Sequence, residues 1–536
     1  MPTCGQTVAR HLETHGVTHV FGVPGNHTLE LYRGLESSTI RHVTTRHEQG
    51  AAFMADGFAR ASGRPGVCFL ISGPGLLNAA TAIAQARADS IPMLVVTTVA
   101  ATTDLGRLQG KLHELPDQHT CAANFCKASV TITDPNAIGR VIGQAFHAFT
   151  SGRPGPVHIE IPLDLLLADT TWQDLDPPVV ASTLDDQTLE DMASLLQRAK
   201  RPLCIVGGGA VGAGKRIPAL AEHFDMPIVN TVNAKGLCPR GHPLFVGGSP
   251  SLASVRELVN QADVVLAIGS EFGETDYDLL MIEAFAISGK LLRIDIDPDQ
   301  LDRNVESHVT LCADARLAVG GLLEFPGRKH GDGARRAERA RQHILEEPHY
   351  HAEIAELFAT IRGAAPDIVL VGDSTRPTYY AAWQYECEQP RSYFHSVSGF
   401  GTLGYAIPAA FGARLATGRP VAALIGDGGA QFTLSELATA VDNEVGVPII
   451  IWLNRGFEEI ENSLTGRGIS AASAHISGPD FSQIAEAYGC AWQQPSDLNE
   501  FGAALAAALE RNRPTLILLE QARFLSLPSG QWYGAF

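Results

Sequence analysis

Residues 66–98 and 420–454 follow one plan, and a chain that uses a plan twice has few ways to fold. The first stretch reads GVCFLISGPGLLNAATAIAQARADSIPMLVVTT: apolar strand, glycine turn, small-residue helix, Ile-Pro, apolar strand. The second reads PVAALIGDGGAQFTLSELATAVDNEVGVPIIIWLN, with GDGG in place of SGPG and Val-Pro in place of Ile-Pro. A strand, helix and strand of these lengths form a parallel crossover, so each stretch predicts one βαβ unit. Two homologous α/β units roughly 350 residues apart are expected near the two ends of the chain.

Between them, PLCIVGGGAVGAG (202–214), ADVVLAIGSEF (262–272) and KLLRIDIDPD (290–299) predict a third α/β region. The polar, Pro-containing segment 168–190 reads as a linker, and 326–346 as a second linker running into a solvated basic helix. The expected fold is α/β: three domains with parallel sheets flanked by helices, over 1–168, 188–325 and 346–536. At 536 residues the chain is long enough for three cores. Gly207-x-Gly209-x-x-Gly212 matches a dinucleotide fingerprint after a strand. Asn230 stands where an acidic residue should end the next strand, so a structural glycine turn is the favoured reading.

A formal net charge of −18 argues against a broad nucleic-acid or anionic-membrane footprint. Apolar runs such as Pro448 to Leu453 are strand-length, and the N-terminus lacks a signal peptide's apolar region. Nine cysteines are scattered without a C-x-x-C, which favours free thiols and a cytoplasmic location.

The second repeat carries chemistry. Strands Val421 to Ile425 and Ile449 to Leu453 deliver Asp427 and Asn454 to the same sheet edge. A carboxylate and an amide oxygen are hard ligands that suit Mg²⁺ or Ca²⁺. Gly426, Gly428 and Gly429 let the backbone approach a diphosphate at the start of the next helix. The alternative is an ordinary strand-to-helix turn, since Gly-Asp-Gly is common.

Several separated motifs add to this turn: FGVPGN (21–26), TRHEQGAAFMADGFAR (45–60), SGPGLLNAATAIAQARADSIPM (72–93) and GTLGYAIPAAFGA (401–413). Together they resemble the thiamin-diphosphate-dependent acetolactate synthase and pyruvate decarboxylase family over essentially the whole chain. The resemblance implies pyrimidine-binding, central and diphosphate-binding domains, with thiamin diphosphate and Mg²⁺ as cofactors. Active sites between subunits are also implied, hence a homodimer at least and commonly a homotetramer. Glu48 stands at the family's cofactor-activating glutamate, where a carboxyl shares a proton with the aminopyrimidine. Leu403 takes the place of the apolar residue that bends the cofactor, and Gly401 offers a carbonyl to its 4′-amino group. Asp427, Asn454 and the backbone oxygen of Gly456 match the metal ligands. Ser374 and Thr375 sit on the loop presented to the diphosphate.

Substrate choice is expected from Asn26, His27, His113, Gln118, Glu459 and Glu461. Leu112-His113-Glu114 stands where acetohydroxyacid synthases carry Phe-Gln-Glu, and the tandem His-His of pyruvate decarboxylase is absent. Arg455 and Glu458 replace small residues common in the metal motif. The acidic cluster Glu458-Glu459-x-Glu461 would hold a cationic tail, with a guanidinium making bidentate contacts. HTLELYRGL and RHEQGAAFMADGFARASGRPGVCF resemble most the 5-guanidino-2-oxopentanoate (2-ketoarginine) decarboxylase branch. The expected reaction is non-oxidative decarboxylation of that 2-oxo acid. Acetolactate-type carboligation is the alternative, and a nucleotide-binding non-catalytic homologue is the reading from another class.

Overall fold

The computed structural model describes residues 1–171, 184–277, 285–328, 331–348 and 350–526. The first sheet contains β1 (His19–Gly22), β2 (Arg41–Thr44), β3 (Gly66–Leu70), β4 (Met93–Val99), β5 (Ala128–Thr131) and β6 (Pro156–Pro162). The second contains β7 (Pro202–Val206), β8 (Ile228–Asn230), β9 (Val264–Ile268), β10 (Lys290–Asp295) and β11 (Val309–Cys312). The third contains β12 (Val369–Gly372), β13 (Tyr393–His395), β14 (Val421–Gly426), β15 (Pro448–Leu453), β16 (Ala491–Gln493) and β17 (Thr515–Glu520). Every pairing between these named strands is parallel, and helices connect most of them, as a crossover fold requires.

The strand orders are β2-β1-β3-β4-β6-β5, β11-β10-β9-β7-β8 and β13-β12-β14-β15-β17-β16. Strand for strand, the first and third sheets have the same order, so the repeat extends well beyond residues 66–98 and 420–454. Both have a switch point between their first and third strands, where the chain turns from building one side of the sheet to building the other. Open α/β sheets bind ligands at such points.

Six helices position the site: α1 (Glu48–Ser62), α2 (Pro74–Ala88), α3 (Arg376–Gln384), α4 (Ala406–Thr417), α5 (Glu436–Asp442) and α6 (Glu458–Gly466). Helices α1 and α4 meet along small residues. A Cβ on Gly57 would lie 2.0 Å from the Ala409 oxygen, and one on Gly412 1.9 Å from the Met54 oxygen. The two α/β halves therefore share one buried core that includes Phe53, Ala55, Ala410 and Phe411.

The expected linkers are more structured than their composition suggests. Thr3 bridges Asp169, and a helix begins at Asp186, capped by Asp185; residues 172–183 lie outside the described ones. The basic helix Gly333–Glu346 is solvated on one side only. Arg336, Ala337, Ala340 and Ile344 recur at helical spacing and are buried, and Arg336 donates to the Pro202 oxygen at 2.8 Å. Residues 329–330 of that segment and 527–536 of the expected third domain lie outside the described ones.

The Gly207 turn packs backbone on backbone. A Cβ on Gly207 would meet the Gly269 oxygen at 2.1 Å, and one on Gly209 the Gly269 Cα at 2.9 Å. These glycines therefore serve close packing, while lining a cavity of about 310 Å³ at the junction of the three sheets. All nine cysteines are free thiols. Among the described residues no helix is long and apolar enough to cross a membrane.

Candidate active site

The third sheet's switch point gathers the residues of the predicted metal turn. Register pairs Gly426 with Trp452, so Asp427 and Asn454 leave β14 and β15 side by side. Asp427 is buried, and its two carboxylate oxygens accept from the Gly428 N–H at 2.8 Å and the Arg455 N–H at 2.7 Å. Burial lifts this carboxyl above its ordinary range, and the N–H donors pull it back in part. Asn454 donates from Nδ2 to Glu458 at 3.0 Å. That bond fixes the amide so that Oδ1 is buried with no hydrogen-bond partner among the described residues. An oxygen donor held out in this way, beside a carboxylate, fits a hard divalent cation.

Residues after β12 form the other wall. Asp373 is fully buried, accepts from the Ser374 and Ala406 N–H groups, and is pushed up to about 6 by burial. The Thr375 hydroxyl is buried without a partner among the described residues, and a Cβ on Gly426 would stand 3.1 Å from it. A Cβ on Gly428 would meet the Phe457 ring at 2.8 Å, and one on Gly429 the Asp373 carboxylate at 3.0 Å. Side chains added at these positions would crowd their neighbours, and the glycines leave backbone open as a cradle for phosphate oxygens needs.

The helix after the turn differs from the sequence expectation. One short turn, Asp427–Ala430, is followed by irregular backbone, and α5 begins only at Glu436. Two consecutive glycines are poor helix formers and let the chain leave helical geometry. Arg455 is accommodated with φ +64, a left-handed conformation, and an exposed side chain.

Glu458 corrects the acidic-cluster expectation. It is paired with Arg376 at 3.0 Å and also accepts from Asn454 and from Gln521 at 2.8 Å. Its carboxylate orients the metal-turn amide and is not available for a cationic tail. Glu459 is half-buried close to Tyr379, whose phenol is pushed upward by burial first and Glu459 second. Glu461 lies at the rim, 3.8 Å from His475.

The first sheet's switch point gathers Glu48, Asn26, His27, His113 and Gln118. Glu48 opens α1, half-buried, and accepts from Asn78 Nδ2 on α2 at 3.0 Å. Gly75 lies beside it: a Cβ there would meet the Ile71 Cγ2 at 2.8 Å and stand 3.6 Å from Glu48 Oε1. His27 bonds Ser72 at 2.9 Å, and its ring meets that of His113 edge-on with centroids 5.1 Å apart. Asn26 is exposed beside them. His113 has φ +63, and its carbonyl lies where a Cβ on Gly73 would sit. Gln118 is buried and its amide is engaged within the domain: it accepts from Gly73 N and donates to Thr97, Thr98 and Glu160. Its place is behind the His113 loop.

Gly401 is exposed with φ +71, and Leu403 is half-buried beyond it. Among the described residues no hydrogen bond or ion pair links Glu48 to the Asp427 turn. Sequence reasoning missed Arg376, Tyr379, Asn78 and Gln85. Asn78 and Gln85 fall within the quoted repeat, but only the fold shows what they touch.

Residues 2–121, 189–322 and 373–519 match the N-terminal TPP binding, central and C-terminal TPP binding domains of thiamine pyrophosphate enzymes. A protein of Pseudomonas aeruginosa described as a probable 2-ketoarginine decarboxylase is 41% identical over 97% of this chain and 94% of its own. The acetolactate synthase large subunit of Corynebacterium glutamicum is 33% identical over 96% of this chain and 86% of its own. The isozyme 1 large subunit of Escherichia coli is 30% identical over 96% and 93%. With three matched domains in order and relatives at 30–41% identity over nearly its whole length, the chain belongs to the thiamine pyrophosphate enzyme family.

Proposed function

We propose that the protein is a Mg²⁺-dependent decarboxylase converting 5-guanidino-2-oxopentanoate to 4-guanidinobutanal and CO₂. The observation that carries this reading is the 41% identity, across nearly the whole chain, to a probable 2-ketoarginine decarboxylase. Bound thiamin diphosphate supplies the carbon nucleophile and the electron sink for loss of CO₂. Asp427, Asn454 and the Gly456 carbonyl would hold Mg²⁺, which neutralises diphosphate charge; the unpartnered Asn454 oxygen supports this. Thr375, Ser374 and the Gly428 and Gly429 amides would bind phosphate oxygens. Glu48 holds or releases a proton at its carboxyl, with Asn78 fixing its orientation. His27 and His113, whose rings meet edge-on, are the imidazoles proposed to face the substrate. Glu459 and Glu461 are the carboxylates proposed to receive the guanidinium.

The proposal includes a homodimer, and beyond it a homotetramer, and what surrounds these residues supports an interface here. Leu29, Leu77, Phe400 and Phe432 are 57%, 46%, 55% and 54% exposed, each within a few positions of a site residue. Apolar side chains in such places are what a second copy of the chain would cover. The free thiols suit a reducing compartment, the cytoplasm.

Carboligation is the second reading, favoured by the acetolactate synthase relatives. A panel of 2-oxo acids, read by CO₂ release and product mass with Glu48→Gln as blank, separates the two. The expected product is the aldehyde, with the guanidino acid preferred over 2-oxopentanoate and the preference reduced by Glu459→Gln. A two-carbonyl adduct would establish the ligase instead. Turnover by Glu48→Gln close to that of the wild type would remove the assigned role of Glu48.

A further inference from the structure

We propose that Gln85 is a positioning residue for the loop Ser398–Leu403, acting on both sides of Gly401. The inference rests on the thiamin diphosphate reading, which makes that loop the one facing the aminopyrimidine. Gln85 lies in the last turn of α2 and is fully buried. Its Nε2 donates to the Ser398 oxygen at 3.1 Å and to Asp89 Oδ2 at 2.8 Å. Its Oε1 accepts from the Thr402 amide at 3.4 Å and the Thr402 hydroxyl at 3.1 Å. One side-chain amide thus holds both ends of Gly399-Phe400-Gly401.

That tripeptide needs holding. Gly399 and Gly401 have φ of +80 and +71, and glycine gives up more backbone freedom on ordering than any other residue. The amide donates from one end and accepts at the other; a carboxylate here would face the Ser398 carbonyl and Asp89 without a proton to give. Asp89 is itself anchored by Arg60 at 2.6 Å, Arg60 by Asp56 at 2.7 Å, and Tyr405 at the loop's far end bonds Asp56. The loop carrying Gly401 and Leu403 is therefore fixed from the first α/β half, although it belongs to the third. Gln85 touches no cofactor atom by this account; it sets where the Gly401 carbonyl and the Leu403 side chain stand.

The test uses the full-length protein with Gln85→Leu and, from the loop side, Thr402→Val. Three quantities are read: amide hydrogen exchange over residues 396–404 without cofactor, the Kd for thiamin diphosphate with Mg²⁺, and kcat and KM for the best 2-oxo acid. Gln85→Leu should speed exchange in the loop and weaken cofactor binding about ten-fold. It should lower kcat about 10- to 100-fold, with KM for the 2-oxo acid within about two-fold. Thr402→Val should do the same to a smaller degree, and the double variant should be no worse than Gln85→Leu, since both cut one clamp. Unchanged exchange and cofactor affinity in both variants would overturn the proposal, and so would lost turnover without faster loop exchange. If Gln85→Leu does not fold, Thr402→Val decides alone. A wild type that binds thiamin diphosphate but decarboxylates nothing would refute the proposed reaction and leave the exchange and affinity tests standing.

Discussion

Asn454 holds two polar atoms with opposite fates: Nδ2 is bound to Glu458, and Oδ1 is buried without a partner among the described residues. An unsatisfied buried oxygen costs about 1–3 kcal/mol, which a cation would recover on binding. Asn454→Ala removes that oxygen, so the cofactor-free protein should lose less than about 1 kcal/mol of stability. Retention of thiamin diphosphate should become nearly insensitive to EDTA and weaker than in the wild type. Denaturant titrations with and without Mg²⁺ check both halves; a variant whose cofactor affinity still rises with Mg²⁺ as the wild type's does would remove Asn454 from the metal site. At this scale the sequence was readable wherever a residue rides a strand end. Asp427 and Asn454 are placed by the register of β14 and β15, and Glu48 by the first turn of α1. It was unreadable where a partner comes from elsewhere in the chain. Nothing near Glu458 announces Arg376, and Gln85 finds Ser398 and Thr402 more than three hundred positions away.

Elements follow from periodicity, and their contacts from residue size. The apolar runs of β3, β4, β14 and β15 were legible because each is bounded by glycine or proline, and buried parallel strands carry little else. The break after Ala430 was not, since the helical spacing of the apolar residues beyond it carries no sign that the turn Asp427–Ala430 and the helix from Glu436 are separate. The α1–α4 contact depends on Gly57 and Gly412, each set against a backbone oxygen of the other helix. At 1.9 Å from the Met54 oxygen, an added methyl has no flexible side chain to push aside. Gly412→Ala should therefore cost more than about 2 kcal/mol, despite alanine's better helix propensity. The solvated Gly363, whose Cβ would meet nothing within 4 Å, gives the matched control. Thermal unfolding of the two variants should differ in sign, with Gly363→Ala neutral or slightly stabilising; equal effects would mean that the helix contact is not the tight one.

The whole molecule keeps several ionisable groups from water, and their protons set how its stability responds to pH. Burial pushes His158 and His395 down to about 3 and His19 and His42 to about 4. His158 is held as a neutral ring between the Thr97 and Ser129 hydroxyls, both at 2.8 Å. A histidine depressed in the folded chain protonates in the unfolded chain first, so its contribution is present at neutral pH and is lost as pH falls below about 6.5. Asp373 and Asp276, pushed up to about 6 by burial, act in the opposite sense. The folded chain binds their protons first, so each adds stability as pH falls from about 6 toward 4. Opposed terms make the wild-type curve alone a poor witness, and differences between variants isolate each group. The stability advantage of wild type over His158→Gln should shrink by about 2 kcal/mol between pH 7 and pH 5. The advantage over Asp373→Asn should grow over the same interval. Urea unfolding of the three proteins at both pH values measures the two gaps, and gaps that move together would show that burial does not set these protons.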